Sequence, residues 1–206
     1  MNFNKISVLI IIVLFSTKLI YSIGGGREER REKRLRKAGR YALMNLNKGL
    51  INAAKNGNYE EVQKAIAERA NVNFVSEYNE TPLSEAIRNK HFNIAQLLID
   101  NGANINRRFG AGFTLLMEEA ANGNLDSVEF LLKNVADADL TYRLVDKIYD
   151  AAEIAKTYGN FEIANYIQNY KRNRQKMLEE TNFPPVLIDL VEEYTGFKRS
   201  EKEKSC

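Results

Sequence analysis

His91 is the only histidine in the chain and Cys206 the only cysteine, which narrows the available chemistry at once. A Ser–His or Cys–His couple would have to use this one imidazole, and a zinc site needs several clustered His or Cys ligands. Asn58, Asn124 and Asn160 stand at the positions equivalent to His91 in neighbouring stretches. All four suit the cap of a helix, so His91 reads as structural. Cys206, at a chain end, has no partner for an internal disulfide and no electropositive pocket to activate its thiol. The pairs Glu60-Glu61, Glu118-Glu119, Glu179-Glu180 and Glu192-Glu193 are adjacent on expected helices. Each pair therefore diverges by about 100° instead of converging on a substrate. Gly24 to Gly26 follow an apolar run, not a strand, and have neither phosphate-binding spacing. Asn79-Glu80-Thr81 is formally a glycosylation sequon, but Thr81 is better used as a helix cap. The expectation is no enzyme, no cofactor and no metal.

The elements that position these residues repeat. Thr81 to Asn106 reads TPLSEAIRNKHFNIAQLLIDNGANIN. Thr81 caps a helix, Pro82 suits its first position, and Leu83, Ala86 and Ile87 form one apolar face. His91 opens a second helix whose stripe is Ile94, Ala95, Leu97, Leu98 and Ile99, and Gly102 closes it as an αL cap. A shift of about 33 residues superposes Leu50, Leu83 and Leu116, then Val62, Ala95 and Val128, then Ile66, Ile99 and Leu132, then Ala70, Ala103 and Ala136. A fourth copy, AAEIAKTYGNFEIANYI from Ala151 to Ile167, needs about three extra residues after Asp139, which lengthen one loop. Lys90 occupies the position between helices that Gly57 and Gly123 fill elsewhere. If that position needs positive φ, a Cβ there costs about 1 kcal/mol.

These offsets of caps, small residues and turn residues resemble the ankyrin repeat over residues 46–170. The resemblance implies an all-α ankyrin-repeat solenoid of three full repeats plus a partial fourth, with short loops or β-turn fingers between repeats. Lys48-Gly49 replaces the family's Thr-Pro in the first copy, Leu115 fills the proline slot in the third, and Glu119 stands where alanine is usual. The resemblance also implies a concave face, made by the first helices and the projecting loops, that binds a protein partner. Its register places Asn52, Lys55, Asn56, then Glu85, Arg88, Asn89, then Glu118, Ala121, Asn122 on that face. The fingers run from Phe74 to Glu80 and from Arg107 to Phe113, with Asn79 and Gly112 at tips that tolerate positive φ. Tyr78, Arg107, Arg108, Phe109 and Phe113 concentrate there as candidate anchors, since arginine and aromatic side chains give large contact area at modest entropic cost.

The formal charge is +3. The run from Arg27 to Tyr41 holds eight basic and three acidic residues, so the remainder is mildly acidic. Such a solenoid lacks the phosphate contacts that nucleic acid requires. Residues 1–24 read as a secretory signal peptide, with Lys5 in the charged region, ISVLIIIVLF as the apolar core and Ser22-Ile23-Gly24 at the cleavage site. Ser16, Thr17 and Lys18 interrupt the roughly 20 apolar residues that a spanning helix needs. A mature start near Gly25 is the expectation, in a secreted or periplasmic protein. The alternative is a membrane-anchored scaffold, periplasmic or at the cell surface, held by an uncleaved segment.

Residues 25–45 form a basic, flexible or helical spacer. Three readings stay open for it: a solvated spacer, contact with an anionic membrane or host surface, or a nucleic-acid role. Tyr41, Leu43, Met44 and Leu46 then offer an apolar cover for the end of the first repeat. Residues 171–182 are polar and read as a linker or helix extension. Residues 183–197, FPPVLIDLVEEYTGF, carry an amphipathic stripe of Leu187, Leu190, Val191 and Tyr194. This helix either packs on the end of the solenoid or binds a partner. Through Pro184, Leu187 and Val191 it resembles the opening turn of F-box-like helices, although Val186 stands where glutamate is usual. That resemblance implies a ubiquitin-ligase adaptor as partner. Residues 198–206 form a disordered tail. The functional expectation is an exported, monomeric, non-enzymatic protein-protein interaction module, a secreted effector whose partner is a host protein.

Overall fold

The computed structural model describes the backbone of residues 3–110, 112–144 and 147–180, and the side chains of residues 28–110, 112–144 and 147–177. The helix expected at 183–197, the tail at 198–206 and the side chains of the expected signal at 1–24 lie outside the described residues. The chain forms two compact units, residues 1–46 and 47–206.

Unit 1 consists of helix, the greater part of α1 (Phe3–Asn56). Its charged stretch is dense in Arg, Glu, Lys, Leu and Ala, all strong helix formers, and Glu29–Lys33 and Glu32–Arg36 pair at i,i+4. Tyr41, Leu43 and Met44, expected as an apolar cover, are exposed instead.

Unit 2 stacks helices in pairs. The last turns of α1 stand with α2 (Tyr59–Ala67), α3 (Pro82–Arg88) with α4 (Phe92–Asp100), α5 (Leu115–Asn122) with α6 (Leu125–Lys133), and α7 (Ala151–Thr157) with α8 (Phe161–Glu180). Within three of these pairs the helices pack directly on each other, and α5 packs on α7 across the repeat boundary. Leu50, Leu83 and Leu116 are 0%, 3% and 2% exposed, equivalent slots along one spine. Val62, Ala95 and Val128 are fully buried, and truncating one of the leucines would cost roughly 2–5 kcal/mol. Lys48 and Gly49 lie inside α1, so the first repeat has no helix start for a Thr-Pro to cap.

The first helices of the second, third and fourth repeats are capped by side chains. Ser84 N–H donates to Thr81 Oγ1 at 3.0 Å, and Thr81 N–H donates to Ser84 Oγ at 2.9 Å. Asp150 and Glu153 cap α7 in the same reciprocal manner, and at α5 Thr114 Oγ1 accepts from Met117 N–H at 3.3 Å. The position between paired helices has φ of 75° at Gly57, 57° at Lys90, 78° at Gly123 and 82° at Gly159. The position after the second helix has φ of 67° at Arg69, 85° at Gly102 and 63° at Val135, so only the central repeat puts a glycine there.

His91, Asn124 and Asn160 do not all cap their helices as expected. Asn58 does, accepting from Glu61 N–H at 3.2 Å. His91 and Asn124 make no such bond. The His91 Nε2 instead lies 3.2 Å from the Lys55 carbonyl of the preceding repeat, and Asn160 Nδ2 donates to the carbonyls of Ala120 and Ala121 at 3.0 and 2.7 Å. These side chains tie one repeat to the last.

A second tie runs along the loops. Asn104 N–H donates to Asn73 Oδ1 at 2.7 Å, and Asp137 N–H to Asn106 Oδ1 at 2.8 Å. The repeated Ala-Asn/Asp-x-Asn/Asp of Ala70–Asn73, Ala103–Asn106 and Ala136–Asp139 therefore has a structural cause. Two hairpins project between repeats: β1 (Arg108–Phe109) with β2 (Phe113–Thr114), and β3 (Tyr142–Leu144) with β4 (Lys147–Tyr149). Phe109 pairs with Phe113, and Tyr142 with Tyr149. The extra residues of the fourth repeat thus fall within the second hairpin, whose strands are three residues long against two in the first. Residues 171–180 continue α8. Lys171 Nζ lies 2.8 Å from both Asp139 and Asp150, and Arg174 pairs with Asp139.

Candidate functional site

The first helices of successive repeats carry the residues assigned to the concave face, and four of these are bonded to one another. Lys55 Nζ on α1 lies 3.4 Å from Glu85 on α3. Arg88, one turn on, reaches back to Glu85 at 2.8 Å and across to Glu118 on α5 at 2.7 and 2.9 Å. The result is an ionic chain across three repeats. Glu85 is 3% exposed, which corrects its placement on an open binding face. Its carboxylate is out of water and needs both cations. The hydrogen bond to Glu118 raises the Arg88 pKa further above its ordinary value, against the effect of burial. Asn89 Nδ2 donates to the Glu85 carbonyl at 2.8 Å, while Asn52, Asn56 and Asn122 are exposed.

The finger residues divide in the same way. Tyr78 is 78% exposed beside Asn79, whose φ of 66° forms the tip. Arg108 was expected to reach outward, but its Nη1 donates to the Gly112 carbonyl at 3.2 Å and to the Thr141 carbonyl at 2.6 Å. It therefore clamps one hairpin to the next. Arg107 and Phe109 are half-buried, and Arg107 Nε is a buried donor with no partner. Phe113 is half-buried and meets the Tyr142 ring edge-on, with centroids 4.9 Å apart.

That contact is one wall of a groove of about 270 Å³, lined by Phe113, Tyr142, Leu144, Tyr149, Ile154, Thr157 and Tyr158. Hairpin β3–β4 and helix α7 hold it between them. Leu144, Ile148 and Tyr158 are 51%, 60% and 66% exposed at or near it. Arg143 and Lys147 are exposed on the same hairpin. Of the residues expected at the binding face, only Phe113 lines this groove. Tyr142, Tyr149 and Tyr158 were missed, although Tyr142 and Tyr149 are the counterparts of Phe109 and Phe113 once the insertion is placed within the hairpin.

A different irregularity sits under the third repeat. Glu119, in a position where its repeat partners Ala53, Ala86 and Ala155 are all buried, is itself fully buried. Asn124 Nδ2 donates to its Oε2 at 2.8 Å, while the buried Ser127 hydroxyl is near enough to favour the charged carboxylate but makes no well-formed hydrogen bond to Oε1. Burial pushes the Glu119 carboxyl pKa up, and the bond from Asn124 and the nearby Ser127 hydroxyl oppose this. Among the described residues no group of His, Cys, Asp and Glu could hold a metal ion.

Residues 50–143 match the family described as ankyrin repeats in three copies. Together with the stacked helix pairs and finger hairpins, this decides the class. The chain carries an ankyrin-repeat array. It is 28% identical over 143 residues, 69% of its length, to the ankyrin repeat and KH domain-containing protein mask-1 of Caenorhabditis elegans. It is 33% and 34% identical to the ankyrin repeat and SAM domain-containing protein 6 of Rattus norvegicus and Mus musculus, over 44% and 43% of this chain. The chain spans 5% of the first relative and 10% of each of the others. The ankyrin-repeat array is a protein–protein interaction module, and nothing in these comparisons points to catalysis.

Proposed function

We propose that this protein is an exported binding module, a secreted effector that takes hold of a host protein through the groove between hairpin β3–β4 and helix α7. The observation that carries this reading is the concentration of exposed aromatic and aliphatic side chains at one groove, with Arg143 and Lys147 beside it. Aromatic anchors in a partly enclosed pocket are what binding hot spots are made of. The flanking cations favour a partner segment that presents an apolar side chain beside carboxylates. The first-helix face contributes less, because Lys55, Glu85, Arg88 and Glu118 already neutralise one another. Export is supported by the charged, apolar and small-residue order of residues 1–24.

The test has two arms. N-terminal sequencing of secreted protein should give a start near Gly25, whereas retention of Met1 to Ile23 would mean a membrane tether. A partner captured by the chain should bind Tyr158→Ala about tenfold more weakly, a loss of about 1.4 kcal/mol, with unchanged thermal melting. Equal affinity for both proteins would place the binding surface elsewhere.

A further inference from the structure

Unit 1 is an exposed helix whose charges are sorted by face. Every side chain from residue 28 to residue 45 is exposed. On an α-helix Arg30, Arg34, Lys37 and Tyr41, at spacings i, i+4, i+7 and i+11, share one face, and Met44 continues it. Glu28, Glu32, Leu35 and Gly39 form the opposite face. Ion pairs occupy two other cations, with Lys33 Nζ 2.6 Å from Glu29 and Arg36 Nη2 3.3 Å from Glu32. Among the described residues no carboxylate lies within ion-pair distance of Arg30, Arg34, Lys37 or Arg40. Lys37 Nζ sits 5.9 Å from the centroid of the Tyr41 ring, so this cation and this ring are presented together.

A helix that serves only as a solvated spacer gains nothing from this sorting. Mixed signs on every face would keep it equally soluble and add local pairs. A row of unpaired cations ending in Tyr41 and Met44 fits a plane that is anionic at its surface and apolar just beneath. Guanidinium groups match phosphate oxygens two at a time, and tyrosine settles at such a boundary with its ring in the apolar layer and its hydroxyl in water. We propose that the Arg30–Arg34–Lys37–Tyr41 face of α1 is a docking site for a membrane surface rich in anionic phospholipid headgroups. Two observations favour a bilayer over a nucleic acid. The apolar run Ile6 to Phe15 belongs to the same helix. The cationic face also ends in apolar groups, and its few cations offer fewer phosphate contacts than nucleic acid binding usually employs. The proposal does not depend on the protein-binding reading of the repeats; where residues 1–24 are removed it rests on the cationic face and its apolar end at Tyr41 and Met44.

The experiment is co-sedimentation of the full chain with phosphatidylcholine vesicles, with and without about one-third phosphatidylserine, at about 0.15 M salt. Phosphatidylserine should raise partitioning by about tenfold or more. About 1 M salt, Arg34→Glu with Lys37→Glu, and Arg34→Gln with Lys37→Gln should each abolish that increment, because screening and removal of the cations act on the same attraction. Arg31→Glu with Arg36→Glu changes net charge as much as the first variant but lies off the face, and should keep most of the increment. Equal partitioning into both vesicle types would show that the apolar run alone drives binding, and would overturn the proposal. Equal loss in the off-face variant would do the same by reducing the effect to net charge. Face-dependent binding of a single-stranded RNA without any phosphatidylserine increment would reassign the face to nucleic acid.

Discussion

The His91 imidazole lies against Gly57 so closely that a Cβ on Gly57 would stand 2.7 Å from its Cε1. The same relationship recurs at the fourth repeat, where Asn160 Oδ1 would be 3.0 Å from a Cβ on Gly123. In each case a glycine at the turn between helices makes room for the polar side chain by which the following repeat holds on. Lys90 fills the equivalent turn of the central repeat, and there Asn124 turns instead to Glu119 of its own repeat. Gly159 has the same backbone, with φ of 82°, but a Cβ added there would meet nothing within 4 Å. Comparing Gly57→Ala with Gly159→Ala therefore separates backbone strain from the clash. The exposed site should lose about 1 kcal/mol and Gly57→Ala at least about 1 kcal/mol more, measured by urea unfolding. Equal losses would mean that His91 moves aside at little cost.

Val135 and Lys90 adopt φ of 63° and 57° in positions where other repeats carry Gly102 or Gly57. A β-branched residue is strained there more than any other type. Val135→Gly should raise stability by about 1 kcal/mol even though glycine loosens the unfolded chain. Lys90→Gly should gain less, because it also removes the exposed pair with Asp126. A thermal shift of Val135→Gly to lower temperature would refute the strain account.

Much of this was legible in the sequence, because Thr81-Pro82, the superposed leucines and Gly102 each demand one local conformation. What was not legible depends on where side chains turn after the backbone is set. Glu85 and Arg88 have the spacing of exposed face residues, yet stacking α3 between its neighbours buries Glu85 and draws Lys55 and Glu118 into one ionic chain. Arg108 likewise looks like a free finger residue until the next hairpin brings the Thr141 carbonyl to it. Tyr149 escaped notice because the extra residues lie between Tyr142 and Tyr149, which keeps Tyr142 in register with Phe109 but shifts Tyr149 three residues from the place that Phe113 would predict.

Removing Arg88 should expose how much the ionic chain holds. Arg88→Ala leaves the buried Glu85 carboxylate with Lys55 alone. Arg88 keeps 33% of its side-chain surface in water, so the loss should be about 2 kcal/mol, less than for a fully buried pair. Glu85→Gln in the Arg88→Ala background should recover part of it, as seen by chemical denaturation. No recovery would mean that Arg88 acts through packing instead of charge.

The asparagine ladder predicts a local effect. Asn106→Ala removes the acceptor 2.8 Å from the Asp137 N–H and should cost about 1 kcal/mol. Hydrogen exchange should quicken at the Asp137 amide and leave the Asn104 amide, held by Asn73, unchanged. Uniform acceleration at both amides would show that the ladder does not act link by link.

Glu119 gives the last prediction its pH dependence. Burial raises its folded-state pKa above the ordinary 4.5, so the folded protein holds this proton more tightly than the unfolded chain does. Its contribution is then most favourable below the unfolded value and is lost as pH rises through the folded pKa, where an ionised carboxylate is left in the core. Glutamine has no charge to lose and keeps a carbonyl oxygen for the Asn124 amide, now 2.8 Å from Oε2. Glu119→Gln and the parent should therefore melt together at about pH 4 and separate by about pH 7.5, with the variant higher. Carboxylates elsewhere, including Asp139, titrate equally in both proteins and cancel in the difference. A constant gap across that range, or a parent more stable at the higher pH, would mean that the carboxylate is ionised and satisfied where it lies.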